Sequence, residues 1–234
     1  MGNSYGNRSI VLDNLKFNAD PANKQSYPGS GTKLYDTISL EGSSNPDGFG
    51  EIDGATFNAN NAGFFRYDGN DSILFSEGID LLEGAQYVTT DAWFNSTDQN
   101  TRTIFCYLNT DGNQIFQLMR TDNESQLIYQ WYNEQLNTVT IDDIIDENAT
   151  WFNIAIVHEG GYVLIYKNGK LFSSGFSSEN FNPAEPGKFY IGTQNGNDRF
   201  WDGDISCVKV YSDTLSSDEI FQNYSALKPR FENH

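Results

Sequence analysis

The sequence predicts an all-β protein: a two-sheet antiparallel β-sandwich with one short C-terminal helix. Three observations predict this class. Aromatic residues make up 15% of the 234 residues, a composition that suits strands. Short apolar runs recur along the chain with turn residues between them. Two of these runs meet at Asn168 and Gly169, and an Asn-Gly pair predicts a tight hairpin because both residues tolerate positive φ.

The N-terminal third contains fewer regular elements. Residues 1–9 are small and polar, and we expect a flexible arm ahead of a single domain over residues 10–234. Strands are predicted over residues 10–17 and 34–38, separated by a segment rich in Pro and Gly. Residues 41–62 are rich in Gly, Asn, Ser and Asp, which predicts an irregular surface excursion. The run GFFRYDGNDSILF then predicts a pair of strands.

Beyond this pair, strands follow one another at short spacing until the helix. The predicted strands span residues 87–95, 103–108, 114–120, 126–132, 151–158, 162–167, 170–174, 188–193 and 204–211. In runs such as FNIAIV, the residues on both faces of the strand are apolar. We therefore expect one face to lie in the core and the other to be covered by a loop or a neighbouring subunit. The helix is predicted over residues 217–226, because Ser216 and Glu219 form a capping box before an apolar stripe.

Several motifs carry a family resemblance. The segments WFNIAIVHEGGYVLIYKNGKLFSSG, KFYIG, FWDGDISCVKVY and LSSDEIFQNY together resemble the concanavalin A-like, laminin-G-like jelly-roll superfamily. The segment FNADPANKQSYPGSGTKLYD is similar to a pattern in jelly-roll domains of tailed-bacteriophage virion proteins, with Leu34 where that pattern has Trp. The resemblance implies a jelly-roll sandwich and a place in a virion.

Composition and charge exclude several classes of function. The chain has 32 acidic and 14 basic residues, a formal net charge of −18, and no run of Lys or Arg, so we expect no nucleic-acid partner. No stretch approaches the ~20 apolar residues of a membrane span, so we expect no membrane insertion. The N-terminus lacks the pattern of a secretory signal, which predicts synthesis in the host cytoplasm. Cys106 and Cys207 each lie in an apolar run and are predicted to be buried free thiols.

The residues do not predict an enzyme, and we expect no catalytic residue. Some hydrolases of the superfamily use an E-x-D-x-x-E strand motif, in which one carboxylate attacks the sugar and another transfers the proton. Glu51 and Asp53 match its start, but Thr56 occupies the position of the third acid, and the flanking glycines predict a loop. Glycoside hydrolysis is therefore a remote alternative. His158 ends an apolar strand and is interpreted as structural.

Sugar binding needs an aromatic face with amides or carboxylates nearby, and two clusters offer both. The candidate glycan-binding residues are Trp201 with Asn197, Asp198 and Arg199, and Trp131 with Tyr132. Each tryptophan has a structural alternative. Trp201 occupies the position at which members of the resembled superfamily have an aromatic residue packed into the structure. Trp131 continues a predicted strand, and its side chain can face the core.

Calcium is the one cofactor that the sequence suggests. Asp198, Asp202 and Asp204 lie close together in NGNDRFWDGD, and Ca²⁺ prefers several oxygen ligands. The alternative is that these carboxylates belong to a solvated acidic surface.

The expected function is that of a non-enzymatic virion structural protein of a tailed phage, located in the virion as a head-decoration, fibre or tail-accessory subunit. Its expected partners are other virion proteins, further copies of the same chain and host surface polysaccharide. The alternative is a calcium-assisted carbohydrate-binding module.

Overall fold

The structure is a computed structural model that describes residues 9–38, 48–79, 81–82, 85–95, 100–109, 111–122, 125–145, 151–176 and 187–231. These residues form sixteen strands and one α-helix. The strands are β1 (Leu15–Ala19), β2 (Lys33–Tyr35), β3 (Phe49–Asp53), β4 (Thr56–Asn58), β5 (Phe64–Asp68), β6 (Ser72–Ile79), β7 (Tyr87–Asn95), β8 (Arg102–Asn109), β9 (Gln114–Arg120), β10 (Leu127–Asn133), β11 (Gln135–Ile141), β12 (Phe152–Glu159), β13 (Tyr162–Lys167), β14 (Lys170–Phe176), β15 (Gly187–Ile191) and β16 (Asp202–Tyr211). The helix α1 (Ser217–Leu227) follows, with a short 3₁₀ turn at Lys228–Arg230.

Two antiparallel eight-stranded sheets form a sandwich, which confirms the predicted fold class. Sheet A has the order β14-β13-β12-β7-β16-β5-β4, and β1 pairs with the second half of β16. Sheet B has the order β11-β10-β9-β8-β15-β6-β3-β2. The inner faces enclose an aromatic core in which Phe17 lies 4.8 Å from Phe75 and 4.7 Å from Phe189 between ring centroids. Each such side chain contributes about 1.5–3 kcal/mol by leaving water.

The local signals for turns and caps are confirmed. In the β13–β14 hairpin, Asn168 and Gly169 have φ of 51° and 75°, the positive values that a type I′ turn requires. At the start of α1, the Ser216 N–H donates to Glu219 Oε2 at 2.8 Å and the Glu219 N–H donates to Ser216 Oγ at 3.4 Å. This is the predicted capping box.

The prediction for the first strand is wrong in its position. Residues 10–14 form no strand; instead the Val11 N–H donates to the side-chain oxygen of Asn223 on α1 at 2.8 Å. The Tyr211 hydroxyl donates to the Val11 carbonyl at 3.2 Å. Strand β1 begins only at Leu15, after Asn14 takes a positive φ of 58°. Residues 1–8 of the predicted arm lie outside the described residues.

The excursion predicted over residues 41–62 is also wrong in part. Residues 48–62 contain two strands. β3 lies between β6 and β2 in sheet B, and β4 is an edge strand of sheet A. Residues 41–47 lie outside the described part of the chain. Strand β11 was not predicted either, because its sequence QLNTVTI is mostly polar and its side chains are largely exposed.

The outer face of sheet A is covered by the chain's own ends, which explains the strands that are apolar on both faces. Leu215 and Ile220 of the helical segment pack with Val157 and Tyr211 of the sheet. Nearby, the Trp93 ring stacks on Phe231 with centroids 4.1 Å apart. The cover is thus intramolecular, not a neighbouring subunit. No helix in the described part of the chain is long and apolar enough to cross a membrane.

A buried ion pair lies beneath this cover. The Lys209 ammonium of β16 is 3.2 Å from Asp91 Oδ1 of β7, and both side chains are only 1% exposed. The Asn153 amide of β12 donates to the same oxygen at 3.0 Å. Three neighbouring strands are therefore joined by side chains as well as by their backbones.

Candidate functional site

The two predicted tryptophan platforms are not open to a ligand. Trp201 is fully buried, and its ring meets the Phe94 ring edge-on at 5.6 Å. Trp131 is also fully buried and contacts the His158 ring at 4.6 Å. A sugar cannot stack on a ring that has no exposed face, so the structural alternative describes both residues.

Tyr132 differs from its neighbour Trp131 because side chains alternate between the two faces of a strand. It is 38% exposed and lies opposite Leu136 of β11, which is 55% exposed. Both lie on the face of sheet B that is turned away from sheet A, which we call the outer face of sheet B. Of the predicted aromatic candidates, Tyr132 is the one that a ligand can reach.

The predicted polar candidates belong to an ordered loop over residues 192–201. The Thr193 hydroxyl donates to the Asp198 carbonyl at 2.7 Å and accepts from the Gly196 N–H at 3.2 Å. The Asn197 N–H donates to Asn195 Oδ1 at 3.0 Å. Internal hydrogen bonds thus hold the loop, and Asn197 and Asp198 are exposed at its tip.

Arg199 extends from this loop towards the outer face of sheet B. Its backbone has a φ of 51°, and its carbonyl accepts from the Thr103 N–H at 2.9 Å. One guanidinium nitrogen lies 3.6 Å from the Met119 sulfur on β9, while Nε is 3.9 Å from Asp198 Oδ2. The guanidinium therefore lies over the strands rather than away from them.

A row of side chains crosses the outer face of sheet B beside Arg199. The strand registers align five residues on adjacent strands: Tyr190, Cys106, Gln117, Gln130 and Thr138. The Gln117 amide donates to Gln130 Oε1, and the Gln130 amide donates to Thr138 Oγ1 at 3.2 Å. We call Gln117, Gln130 and Thr138 the amide row.

One acceptor in the amide row has no partner. Gln117 is fully buried, and its Oε1 finds no hydrogen-bond donor among the described residues. A buried unsatisfied acceptor costs about 1–3 kcal/mol. Sequence reasoning missed this row: the glutamines of QIFQLMR and LIYQWYN are visible as polar positions between apolar ones, but only the register places them side by side.

The same face is depleted of negative charge. Strands β11, β10, β9, β8 and β15 are consecutive in sheet B and contain no Asp or Glu, although the chain has 32 acidic residues. Lys188 of β15 and Arg199 supply positive charge. Burial raises the pKa of the Cys106 thiol, so this cysteine stays neutral.

The three aspartates predicted as calcium ligands do not form a common site. Both carboxylate oxygens of Asp204 accept from the Arg66 guanidinium, at 2.8 and 3.0 Å. Asp198 accepts from the Arg199 N–H at 2.8 Å, and Asp202 lies in β16 opposite Asp68. The described residues contain no group of three or more His, Cys, Asp or Glu that could hold a metal ion.

The hydrolase-like motif has a different setting from the one predicted. Glu51 and Asp53 lie in β3 and not in a loop. The strand ends there because Gly54 has a φ of 83°, and Thr56 begins β4 in the other sheet. The motif therefore does not continue along one strand and supplies no third acid. His158 is buried, and this burial lowers its pKa to about 4.

Comparison with solved structures finds a similar fold in botulinum neurotoxin receptor-binding domains. The receptor-binding domain of a botulinum neurotoxin C/D mosaic has a TM-score of 0.67 at 15% identity, covering 91% of this chain and 51% of that chain. The type G domain has a TM-score of 0.63 at 16% identity with the same coverage. A type C neurotoxin structure, from a protein whose cell entry depends on interaction with two ganglioside molecules, has a TM-score of 0.65 at 12% identity.

The chain spans about half the length of these toxin chains, and at such identities the likeness shows the fold alone. No curated protein sequence matches the chain. The family model described as the concanavalin A-like lectin/glucanases superfamily matches residues 67–221. Together with the sandwich and its registers, this match shows that the chain belongs to the concanavalin A-like lectin/glucanases superfamily.

Proposed function

We propose that this chain is a non-enzymatic glycan-binding domain whose ligand lies on the outer face of sheet B, beside the loop over residues 192–201. The observation that carries the proposal is the accessible end of the amide row, where the half-buried Gln130 amide donates to the exposed Thr138 hydroxyl. Side-chain amides and hydroxyls that a ligand can reach bond to carbohydrate hydroxyls. Amides and hydroxyls that already bond to one another keep their geometry when the ligand arrives.

The surroundings of the amide row suit a sugar. Tyr190, Cys106 and Leu108 form a small buried apolar cluster that supports the row on one side. On the other side Tyr132 offers an exposed aromatic ring, which matches the apolar face of a pyranose. Arg199 adds a guanidinium with several donors in a fixed plane.

The type C neurotoxin supports the proposal by analogy, since the cell entry of that toxin depends on interaction with two ganglioside molecules. Only about half of that chain is similar to this one. The analogy therefore favours a glycan as ligand but does not identify which glycan.

The virion setting is a second candidate, and it is favoured by the segment SYPGSGT. Tyr27 of this segment is 4% exposed and packs 4.9 Å from Phe57 and 5.0 Å from Phe65. Its hydroxyl donates to the Gly31 carbonyl at 3.1 Å. We propose that the chain is a head-decoration, fibre or tail-accessory subunit of a tailed-phage virion. Mass spectrometry of purified particles tests this, and particles that lack the chain would contradict it.

A glycan array tests the binding function. Arg199→Asn removes the guanidinium and keeps a residue that tolerates positive φ, and Gln130→Leu interrupts the amide row. Lys16→Asn is the matched control, because it removes one exposed positive charge on β1. We expect both site variants to lose at least tenfold in affinity and the control to bind like the wild type.

The outcomes separate the alternatives. A blank array contradicts glycan binding, and binding that survives both site variants places the ligand elsewhere. We expect binding to persist when calcium is chelated, since Asp204 is held by Arg66. Loss of binding on chelation would favour the calcium-assisted module instead.

A further inference from the structure

The Arg199 guanidinium has no strong acceptor among the described residues. One of its terminal nitrogens lies 3.6 Å from the Met119 sulfur, and a thioether is a weak acceptor. Its Nε is 3.9 Å from Asp198 Oδ2, which is beyond hydrogen-bond distance. By contrast, the Arg66 guanidinium donates to both carboxylate oxygens of Asp204, at 2.8 and 3.0 Å. Arg199 therefore retains donors for a ligand, and its side chain is 35% exposed.

The backbone holds Arg199 in a strained conformation. Its φ of 51° is positive, which is uncommon for a residue other than glycine or asparagine. The loop fixes this conformation on both sides: the Arg199 carbonyl accepts from the Thr103 N–H of β8 at 2.9 Å, and the Arg199 N–H donates to Asp198 Oδ1 at 2.8 Å. Strained residues of this kind are concentrated at ligand-binding sites. The strain therefore also points to binding at Arg199.

A continuous series of contacts joins Arg199 to the amide row. The Met119 sulfur that Arg199 approaches also accepts from the Gln117 amide at 3.3 Å, and the same amide nitrogen donates to Gln130 Oε1. Met119 and Gln117 are two residues apart on β9, a separation of about 7 Å. A ligand of one or two sugar rings can therefore contact the guanidinium and the accessible end of the amide row at once.

We propose that the glycan bound on the outer face of sheet B is acidic, and that one of its oxyanions, a carboxylate or a sulfate ester, pairs with the Arg199 guanidinium. This inference rests on the proposed glycan binding and specifies the chemistry of the ligand. The planar fork of a guanidinium binds two oxygens of such a group at once. Hydroxyls of the same ligand bond to the Gln130 amide and the Thr138 hydroxyl.

The charges around Arg199 decide whether an acidic ligand is tolerated. The net charge of −18 opposes such a ligand at long range, but charges more than about 8 Å apart are largely screened at physiological ionic strength. Nearby, the consecutive strands β15, β8, β9, β10 and β11 contain no Asp or Glu. The carboxylate that does approach the guanidinium is that of Asp198, which is 66% exposed. Asp198 therefore competes with the ligand.

An array of oligosaccharides in matched forms tests the proposal at physiological salt. It presents uronic-acid chains, the same chains with each carboxyl group reduced to a hydroxymethyl group, and sulfated and unsulfated forms of one neutral chain. We expect the wild type to bind an acidic form at least about tenfold more tightly than its neutral counterpart, because hydrogen bonds to charged groups are stronger than those between neutral groups. The carboxylate and sulfate forms show which oxyanion is bound.

Two variants of the loop should change the affinity in opposite directions. Arg199→Asn should abolish the preference for the acidic form. Asp198→Asn keeps an acceptor for the Arg199 N–H but removes the competing charge, so it should strengthen binding of the acidic form and leave the neutral form unchanged. Lys16→Asn, the control for the loss of one positive charge, should keep the preference of the wild type.

The outcomes separate this inference from the proposed function. Equal binding of acidic and neutral forms by the wild type, or a preference that survives Arg199→Asn, would overturn the inference and leave glycan binding intact. Weaker binding of the acidic form by Asp198→Asn would overturn it as well. A blank array would contradict both the inference and the proposed glycan binding.

Discussion

Replacing Lys209 by Met should cost about 3–5 kcal/mol of unfolding free energy. The side chains of Lys209 and Asp91 are both 1% exposed, with 3.2 Å between Nζ and Oδ1. At an effective dielectric constant of about 20, two unit charges at that distance attract by about 5 kcal/mol. Removing one partner leaves the other charge buried without compensation, which typically costs 3–5 kcal/mol.

The pH of the measurement follows from the pKa of Lys209. Burial is the largest single effect and lowers this pKa, but the interactions of Lys209 with Asp91, Cys207 and Tyr211 together outweigh burial, so the net pKa is raised. A raised folded-state pKa means that the contribution is complete below the unfolded value of about 10.4 and is lost only as pH rises above it. Urea unfolding at pH 7, followed by tryptophan fluorescence, therefore measures the whole contribution.

The double variant provides the decisive comparison. Asp91→Asn with Lys209→Met removes both charges and keeps a side-chain oxygen for the Asn153 amide, which bonds to Asp91 Oδ1 in the wild type. We expect the double variant to lie within about 1–2 kcal/mol of the wild type, because no charge is left buried alone. A Lys209→Met cost below 1 kcal/mol, or a double variant as unstable as the sum of the single variants, would refute this reasoning.

Three further predictions concern pH, the core and the hairpin. Burial lowers the pKa of His158 to about 4. Between about pH 6.5 and pH 4 the unfolded state therefore binds a proton that the folded state does not, and the free energy of unfolding falls by about 3 kcal/mol. The His158→Gln variant should lack this part of the acid sensitivity when urea unfolding is measured at each pH. Trp201→Ala should cost about 3–5 kcal/mol and lower the thermal midpoint, whereas a thermal midpoint equal to that of the wild type would mean that the ring is not a core plug. Gly169→Ala should destabilise the protein by at least about 1 kcal/mol, because φ is 75° and the new Cβ would lie 2.8 Å from the Tyr224 ring; unchanged calorimetric unfolding would contradict this.

The elements that were predictable from sequence are those whose signal is local. β7, β9 and β13 begin and end at the predicted residues, because apolar alternation and flanking turn residues define them. Residues 10–14 look like a strand by composition, yet the Asn223 side chain takes the Val11 N–H. That bond spans 212 positions along the chain, so no local pattern contains it.

The candidate site was harder to predict for a related reason. The sequence singled out Trp201 and Trp131 because tryptophan is conspicuous, but both are fully buried. Gln117 and Gln130 were overlooked because each is an ordinary polar residue on its own. Only the pairing of β9 with β10 brings them together, and strand register is a long-range property.

The cover on sheet A also determines how the domain can be attached to something else. Both ends of the described chain lie on that side: the Ser9 carbonyl accepts from Gln222 of α1 at 2.8 Å, and Phe231 stacks on Trp93. A fusion partner, bead or sensor chip joined at Ser9 or Phe231 therefore sits behind the sandwich. The amide row then points away from the support, so immobilised protein keeps this surface free for soluble ligands.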